Sequence, residues 1–212
     1  YKRSTVLRRL ERRLHLTGTE TLGQYLDHLR SNGDEATALK KDFLISVTSF
    51  FRDPEAFQAV EETVLPAIFE DKAAGDPVRV WVPGCATGEE AYSIAMLLVE
   101  EAEAAGFPVT DIQVFATDVD TDALQVGRRG RYPKAIAADV SPERLDRFFQ
   151  PDGDYVQINH GLQDNVLFAE HNLLEDPPFS DLDLISCRNL LIYLMPELQR
   201  HVYQLLHYGL RD

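Results

Sequence analysis

The chain has 212 residues, 44% of them apolar, and a formal net charge of −14 at pH 7. That length buries one good-sized core with room for a small accessory domain. The acidic balance argues against a nucleic-acid partner, which needs a dominant positive field. No apolar run approaches the roughly 18 residues of a membrane helix, and Tyr1-Lys2-Arg3-Ser4 lacks the apolar stretch of a signal peptide. Two cysteines, Cys85 and Cys187, make no disulfide framework. The expectation is a chain that is not membrane-inserted and works in a reducing cytoplasm.

Residues 1–70 read as a helical domain with its linker. Val6, Leu7, Leu10 and Leu14 recur at helical spacing, Leu22, Tyr25, Leu26 and Leu29 form a second stripe, and Leu39, Phe43 and Leu44 a third. Gly18 and Asn32-Gly33 punctuate these helices. Asp53-Pro54-Glu55 gives an N-cap, a first-turn Pro and an acid, predicting a helix to about Phe69. The first 30 residues hold seven Lys/Arg against three acids, while the rest hold 14 against 32. A basic head on an acidic body predicts a partner surface at Arg8, Arg9, Arg12 and Arg13. A plain solvated helix face is the other reading of the same residues.

From residue 71 the pattern becomes α/β. Strand Val78–Val82 leads to a helix from about Gly88 to Ala105, and strand Ile112–Ala116 leads to Asp118 and a helix over roughly 120–127. Ser141-Pro142-Glu143 starts a short helix reaching Phe149. Tyr155–Ile158 and Val166–Phe168 read as a strand pair, a β subdomain near 150–170, with the second strand able to continue into the main sheet. Leu182–Ser186 is a buried strand, and a helix follows Pro196. This alternation predicts a doubly wound, mostly parallel sheet.

Four segments carry chemistry. The first is Pro83-Gly84-Cys85-Ala86-Thr87-Gly88-Glu89-Glu90, a strand-to-helix turn in which Gly84 allows close backbone approach to a ligand. A phosphate would want bare helix N–H groups and a Lys or Arg. Glu89 and Glu90 would repel it and attract an ammonium, such as the amino-acid end of S-adenosylmethionine (SAM). That disfavours a dinucleotide oxidoreductase. The second is Ala116-Thr117-Asp118-Val119-Asp120, where Asp118 takes a ribose and Asp120 caps the next helix. In the third, Asp183 to Tyr193, a buried strand ends in polar residues. Asn189 there is a ligand contact or a turn cap, and Tyr193 a site residue or a core one. The fourth, Ile45 to Pro54, sets three hydroxyls, two aromatics and Arg52 between the two domains. Asp176-Pro177-Pro178-Phe179 looks like an amino-methyltransferase tetrapeptide, but it precedes its strand rather than following it, so it reads as a stiff loop entry.

Together, Thr48-Ser49-Phe50-Phe51-Arg52, Ala86-Thr87-Gly88-Glu89-Glu90, Ala116-Thr117-Asp118-Val119-Asp120 and Cys187-Arg188-Asn189-Leu190-Leu191-Ile192-Tyr193 resemble the chemotaxis-receptor methyltransferase (CheR) family in order and spacing, across essentially the whole chain. The resemblance implies a SAM-dependent methyltransferase (Rossmann-like) sheet, a small all-helical N-terminal domain and a small antiparallel β insertion. It implies methylation of glutamate carboxylates on chemoreceptor cytoplasmic helices, with S-adenosylhomocysteine as product. By position it implies SAM contacts from Ser46, Thr48, Arg52, Glu90 (or Glu89), Asp118, Asn172, Leu173, Asn189 and Leu190, with Arg52 and Tyr193 beside the transferable methyl. Ser46 stands where the family often has Asn. The chain stops where relatives continue into closing strands, so the expectation is a fragment of a protein fused to other signalling domains.

A glutamate acceptor is already ionised at pH 7 and needs no general base. That suits a chain whose histidines, at 15, 28, 160, 171, 201 and 207, form no triad or metal pattern. Orientation by Arg52 and Tyr193 is then the main contribution expected of the protein. The competing class is a SAM- or nucleoside-binding regulatory domain without turnover.

Overall fold

The structure is a computed structural model that describes residues 2–44, 48–70, 72–73 and 75–211. The chain divides into two compact units, one of Tyr1–Ser46 with Asn189–Arg200, the other of Val47–Arg188 with His201–Asp212.

The first unit contains three short helices whose ends are written in the sequence. Helix α1 (Arg3–Thr17) stops at Gly18, which adopts φ +68° and closes the helix without a Cβ penalty. Helix α2 (Leu22–Ser31) opens with a capping box: the Thr21 hydroxyl accepts from the Gln24 N–H, and the Gln24 side chain accepts from the Thr21 N–H. Asn32 ends α2 and caps α3 (Gly33–Phe43) through its side-chain oxygen.

An ion pair, not an aliphatic contact alone, ties α1 to α3. The Arg13 guanidinium donates to both oxygens of Glu35, at 2.9 and 2.5 Å, and the Tyr25 hydroxyl donates to Glu35 at 2.7 Å. Hydrogen bonds from Arg13 hold the Glu35 carboxyl below its ordinary range, and burial pushes the Tyr25 phenol up to about 12. This corrects the expectation that Arg13 belongs to a docking face, because its side chain is only 14% exposed and committed internally. Arg8 and Arg12 are exposed and Arg9 half-buried, with Arg12 3.4 Å from Asp42.

In the second unit, α4 (Pro54–Ala59), a π-helical turn (Val60–Val64) and α5 (Leu65–Glu70) follow one another without a break. The wide turn has a cause. Pro66 has no N–H, and its ring would meet the Glu62 carbonyl in regular α geometry. Asp53 adopts φ +59° and makes no side-chain cap, so its expected N-cap role is replaced by a contact to Arg188 described below.

The main sheet runs β6-β2-β1-β7, with every strand parallel. Its strands are β1 (Val78–Pro83), β2 (Ile112–Asp118), β6 (Val166–Glu170) and β7 (Leu184–Ile185). Val80, Trp81 and Val82 are all buried, as a strand covered on both faces requires. Helix α6 (Glu89–Ala105) packs against it and is buried along most of Ala91–Val99. Helices α7 (Thr121–Arg129) and α10 (Pro196–Gly209) complete the expected alternation.

The small sheet differs from expectation. Tyr155–Ile158 (β5) pairs antiparallel with Phe149–Asp152 (β4) and Arg131–Pro133 (β3), in the order β3-β5-β4, while Val166–Glu170 joins β2 in the main sheet. Gly153, at φ +59°, turns β4 into β5. Pro151 and Pro133 masked β4 and β3 in the sequence; both sit on edge strands, where a missing N–H is tolerated. Helix α8 (Pro142–Phe148), capped by Ser141, lies between β3 and β4 in sequence, and α9 (His160–Gln163) separates the small sheet from β6.

Removing one member of a buried, hydrogen-bonded ion pair typically costs about 3–5 kcal/mol, whereas an exposed pair is worth under about 1. Arg13→Ala is therefore expected to lower the stability of the helical unit by about 3 kcal/mol, and Arg12→Ala by less than about 1, in urea titrations followed by circular dichroism.

Candidate active site

The turn after β1 is built from three left-handed backbones: Gly84 at φ +72°, Ala86 at +49° and Gly88 at +95°. Gly88 is also sterically fixed. A Cβ there would lie 2.8 Å from the Phe168 ring and 3.2 Å from the Cα of Gly127.

Four of the turn's N–H groups are spent inside the protein. Gly84 and Cys85 both donate to the Thr117 carbonyl, at 2.7 and 3.0 Å, Ala86 donates to the Asp118 carboxylate at 2.8 Å, and Gly88 donates to the Cys85 carbonyl at 2.9 Å. The other Asp118 oxygen accepts from the Asp120 N–H at 2.9 Å. A phosphate cradle needs such donors pointing at the ligand; here four are already engaged. Asp120 caps α7, as expected, through bonds from Asp122 and Ala123. Each Asp118 oxygen retains capacity for a second hydrogen bond, so its structural bonds leave room for the expected ribose contact.

Glu89 and Glu90 open α6 and face different partners. Glu89 accepts from the Thr87 hydroxyl at 2.6 Å, and Tyr132 of the small sheet donates to the Thr87 carbonyl at 2.7 Å. Glu90 accepts from the Ser186 hydroxyl at 2.7 Å and lies 3.9 Å from the Arg188 guanidinium. Burial pushes both carboxyls up. For Glu90 the Ser186 hydrogen bond, Arg188 and Arg52 oppose that shift. Burial likewise raises both cysteines, Cys187 to about 12, so neither is a ready thiolate.

The Glu90–Ser186 bond joins the first turn of α6 to the end of β7. The connection from β1 runs outward through β2 to β6, and β7 then returns on the other side of β1. Open α/β sheets bind ligands at this reversal, beyond the carboxyl ends of the strands.

Arg52 sits on a second strained turn, with Phe51 at φ +47° and Asp53 at φ +59°. The Phe51 N–H donates to the Ser93 hydroxyl at 3.0 Å. Arg188 donates to the Arg52 carbonyl at 2.7 Å and to Asp53 at 2.8 Å, while stacking on Phe57 at 4.9 Å. Thr48 is half-buried just before this turn, and Ser46 lies outside the described residues.

After β6, Leu173 is buried, and the Asn172 side chain is engaged with the Leu174 N–H and Glu175. Arg52, Gly84, Glu89, Glu90, Asp118, Asn172 and Leu173 all belong to the second unit. Asn189, Leu190 and Tyr193 fall in the first. Asn189 is exposed, at φ +55°, and the Tyr193 carbonyl accepts from the Lys2 N–H at 2.9 Å.

Ser186, Arg188 and Ser93 were given no role by sequence reasoning. Ser186 and Arg188 stood in a noticed motif, and their place at the end of β7, beside the strand-order reversal, was the available signal. Ser93 carried none, since a serine one turn into a buried helix resembles any other. Among the described residues, no group of three or more His, Cys, Asp or Glu could hold a metal.

The CheR methyltransferase SAM-binding domain matches residues 46–212, and the CheR methyltransferase all-alpha domain matches residues 1–44. The chain belongs to the CheR methyltransferase family. It is 42% identical, over its full length, to an uncharacterized 104.1 kDa protein of Rhodobacter capsulatus, of which it spans 22%. It is 34% identical to the chemotaxis protein methyltransferase of Salmonella typhimurium, with 91% of this chain and 66% of that protein aligned. It is also 34% identical to the chemotaxis protein methyltransferase of Escherichia coli, with 95% of this chain and 70% of that protein aligned.

The CheR fold seen here is a Rossmann-like parallel sheet with a small antiparallel sheet and an all-helical N-terminal domain, and its α/β domain is a SAM-binding one. The residues present fit that cosubstrate: a half-buried carboxylate for an ammonium, a strand-end carboxylate for a diol, and a first turn with four of its N–H groups already engaged.

Forcing a side chain into the Gly88 position combines left-handed strain with a clash against Phe168, penalties of about 1–3 kcal/mol each. Gly88→Ala is expected to lower the melting temperature and weaken S-adenosylhomocysteine binding, both readable by thermal shift with and without ligand.

Proposed function

We propose that this chain transfers the methyl group of SAM to glutamate side chains of chemoreceptor proteins, forming methyl esters in chemotaxis-type signalling. One observation carries the cosubstrate half of the reading: Glu90, half-buried at the strand-order reversal and bonded to Ser186, beside a turn whose donors are internally engaged. A carboxylate so placed suits an α-ammonium and rejects a pyrophosphate. The relatives' description as chemotaxis protein methyltransferases supports the acceptor half.

SAM supplies a methyl group on a sulfonium, already activated for displacement. The protein's residues then have three tasks. Glu90 and Asp118 anchor the two ends of the cosubstrate, the ammonium and the ribose. Arg52 orients a carboxylate by paired N–H donors, and Tyr193 is assigned a hydrogen-bond donor role. The acceptor carboxylate attacks in its ordinary ionised state, so no residue needs to remove a proton. Alignment and exclusion of water account for the acceleration, worth up to about 7–11 kcal/mol when reacting atoms are held in line. Arg8, Arg9 and Arg12 remain candidates for attracting acidic receptor helices, an effect on encounter rate more than on final affinity.

Two measurements test these roles. Arg52→Ala is expected to cut turnover of tritiated SAM on receptor fragments far more than it weakens calorimetric SAM binding; equal losses would assign Arg52 to the cosubstrate alone. The second test uses pH. Glu90 must be charged to hold an ammonium, and its pKa is raised by burial but held down by Ser186. Affinity is therefore lost as pH falls through that raised pKa. In Ser186→Ala the loss should begin at a higher pH, measured by titration with S-adenosylhomocysteine from neutral into acid. An unchanged pH profile would remove Glu90 from the ammonium site.

A further inference from the structure

The turn that carries Arg52 is gripped by the inserted segment. Phe50 is 1% exposed, with its ring edge-on to Tyr132 of β3 at 5.0 Å and to Phe149 of β4 at 5.6 Å. The guanidinium of Arg144, on α8, lies over the Phe51 ring at 4.7 Å. The same guanidinium binds both oxygens of Glu100 on α6, at 2.7 to 3.1 Å, and reaches Glu61 on the π-helical turn at 3.2 Å. One planar cation thus links α6, the wide helical turn and the ring adjoining Arg52.

The link matters because Phe51 and Asp53 hold left-handed backbones. Such conformations cost about 1–3 kcal/mol for non-glycine residues and persist only where the surroundings enforce them. Ser93 and Arg188 enforce this one through hydrogen bonds to the Phe51 N–H, the Arg52 carbonyl and Asp53. Arg144 presses on it from the ring side, in a part-buried setting where cation–π stacking is strengthened by desolvation. Lysine offers neither the flat stacking surface nor the two-pronged grip on Glu100.

We propose that Arg144 is a positioning residue for methyl transfer: stacked on Phe51 and anchored to Glu100, it fixes the turn that aims Arg52. The small antiparallel sheet thereby has a role in catalytic geometry through α8. This inference rests on the role given to Arg52 above.

The test is a mutant cycle on the full chain. Arg144→Met, Arg144→Lys, Arg52→Lys and the Arg144→Met/Arg52→Lys double variant are assayed for methyl transfer from tritiated SAM to receptor cytoplasmic fragments, with thermal melts alongside. Misplacing a catalytic group by about 1 Å costs on the order of 100-fold. Arg144→Met is therefore expected to lower kcat roughly 10- to 100-fold in folded protein, with Arg144→Lys rescuing poorly and the double variant no slower than Arg52→Lys alone. Equal fold-losses in both backgrounds, or a loss that only tracks the unfolded fraction, would overturn the proposal. Phe51→Leu offers an independent route should Arg144→Met fail to fold. It removes the ring but keeps apolar bulk, and it should slow turnover and show the same non-additivity with Arg52→Lys; wild-type turnover would overturn the proposal. Absence of transfer by the wild-type chain would sink the reading of function itself, a separate result from wild-type activity with an indifferent Arg144.

Discussion

The site depends on where a handful of backbone N–H groups point. Asp118 and Thr117, at the end of β2, accept the N–H groups of Gly84, Cys85 and Ala86 from the turn after β1, and Gly88 turns its own back to Cys85. These bonds knit the ends of two neighbouring parallel strands together. They also remove the donors that would make this turn an anion receptor. The Thr117 carbonyl and the Asp118 carboxylate together therefore shape the turn.

Glu89 and Glu90 then divide in a way their adjacency conceals. Successive helical residues point about a hundred degrees apart, so they meet different neighbours. Glu89 is drawn to Thr87, with Tyr132 bonded to the carbonyl of the same residue, and supports the turn from the small-sheet side. Glu90 meets Ser186 at the end of β7, with Arg188 and Arg52 acting on its charge. Of the two acids, Glu90 is the one at the strand-order reversal. Its neighbouring guanidiniums oppose the upward push of burial, favouring the charged form that attracts a cation.

Much of this was legible in residues alone. Helix ends declared themselves through Gly18, Asn32 and Ser141, and the parallel strands through their short apolar runs. What stayed hidden has physical reasons. Pro133 and Pro151 argue against strands unless the strands are known to be edges, so the small sheet was placed too late in the chain. Arg13 carries no mark that separates it from Arg8, Arg9 and Arg12; only the fold brings Glu35 and Tyr25 to it. Arg144 is similarly unremarkable in sequence, because its three partners lie 44 to 93 positions away. Long-range side-chain pairing has no local pattern to read.

Withdrawing Arg13 changes the electrostatics of recognition. An acidic acceptor approaching a chain of net charge −14 meets general repulsion, and attraction must be local because charges beyond about 10 Å are largely screened at physiological salt. The basic head offers Arg8, Arg9 and Arg12, and Arg12 is partly neutralised by Asp42 at 3.4 Å. A field this modest serves to orient and accelerate encounter, not to hold. On the proposed reading, discrimination among acceptor glutamates falls to the geometry around Arg52, whose turn is strained at Phe51 and Asp53.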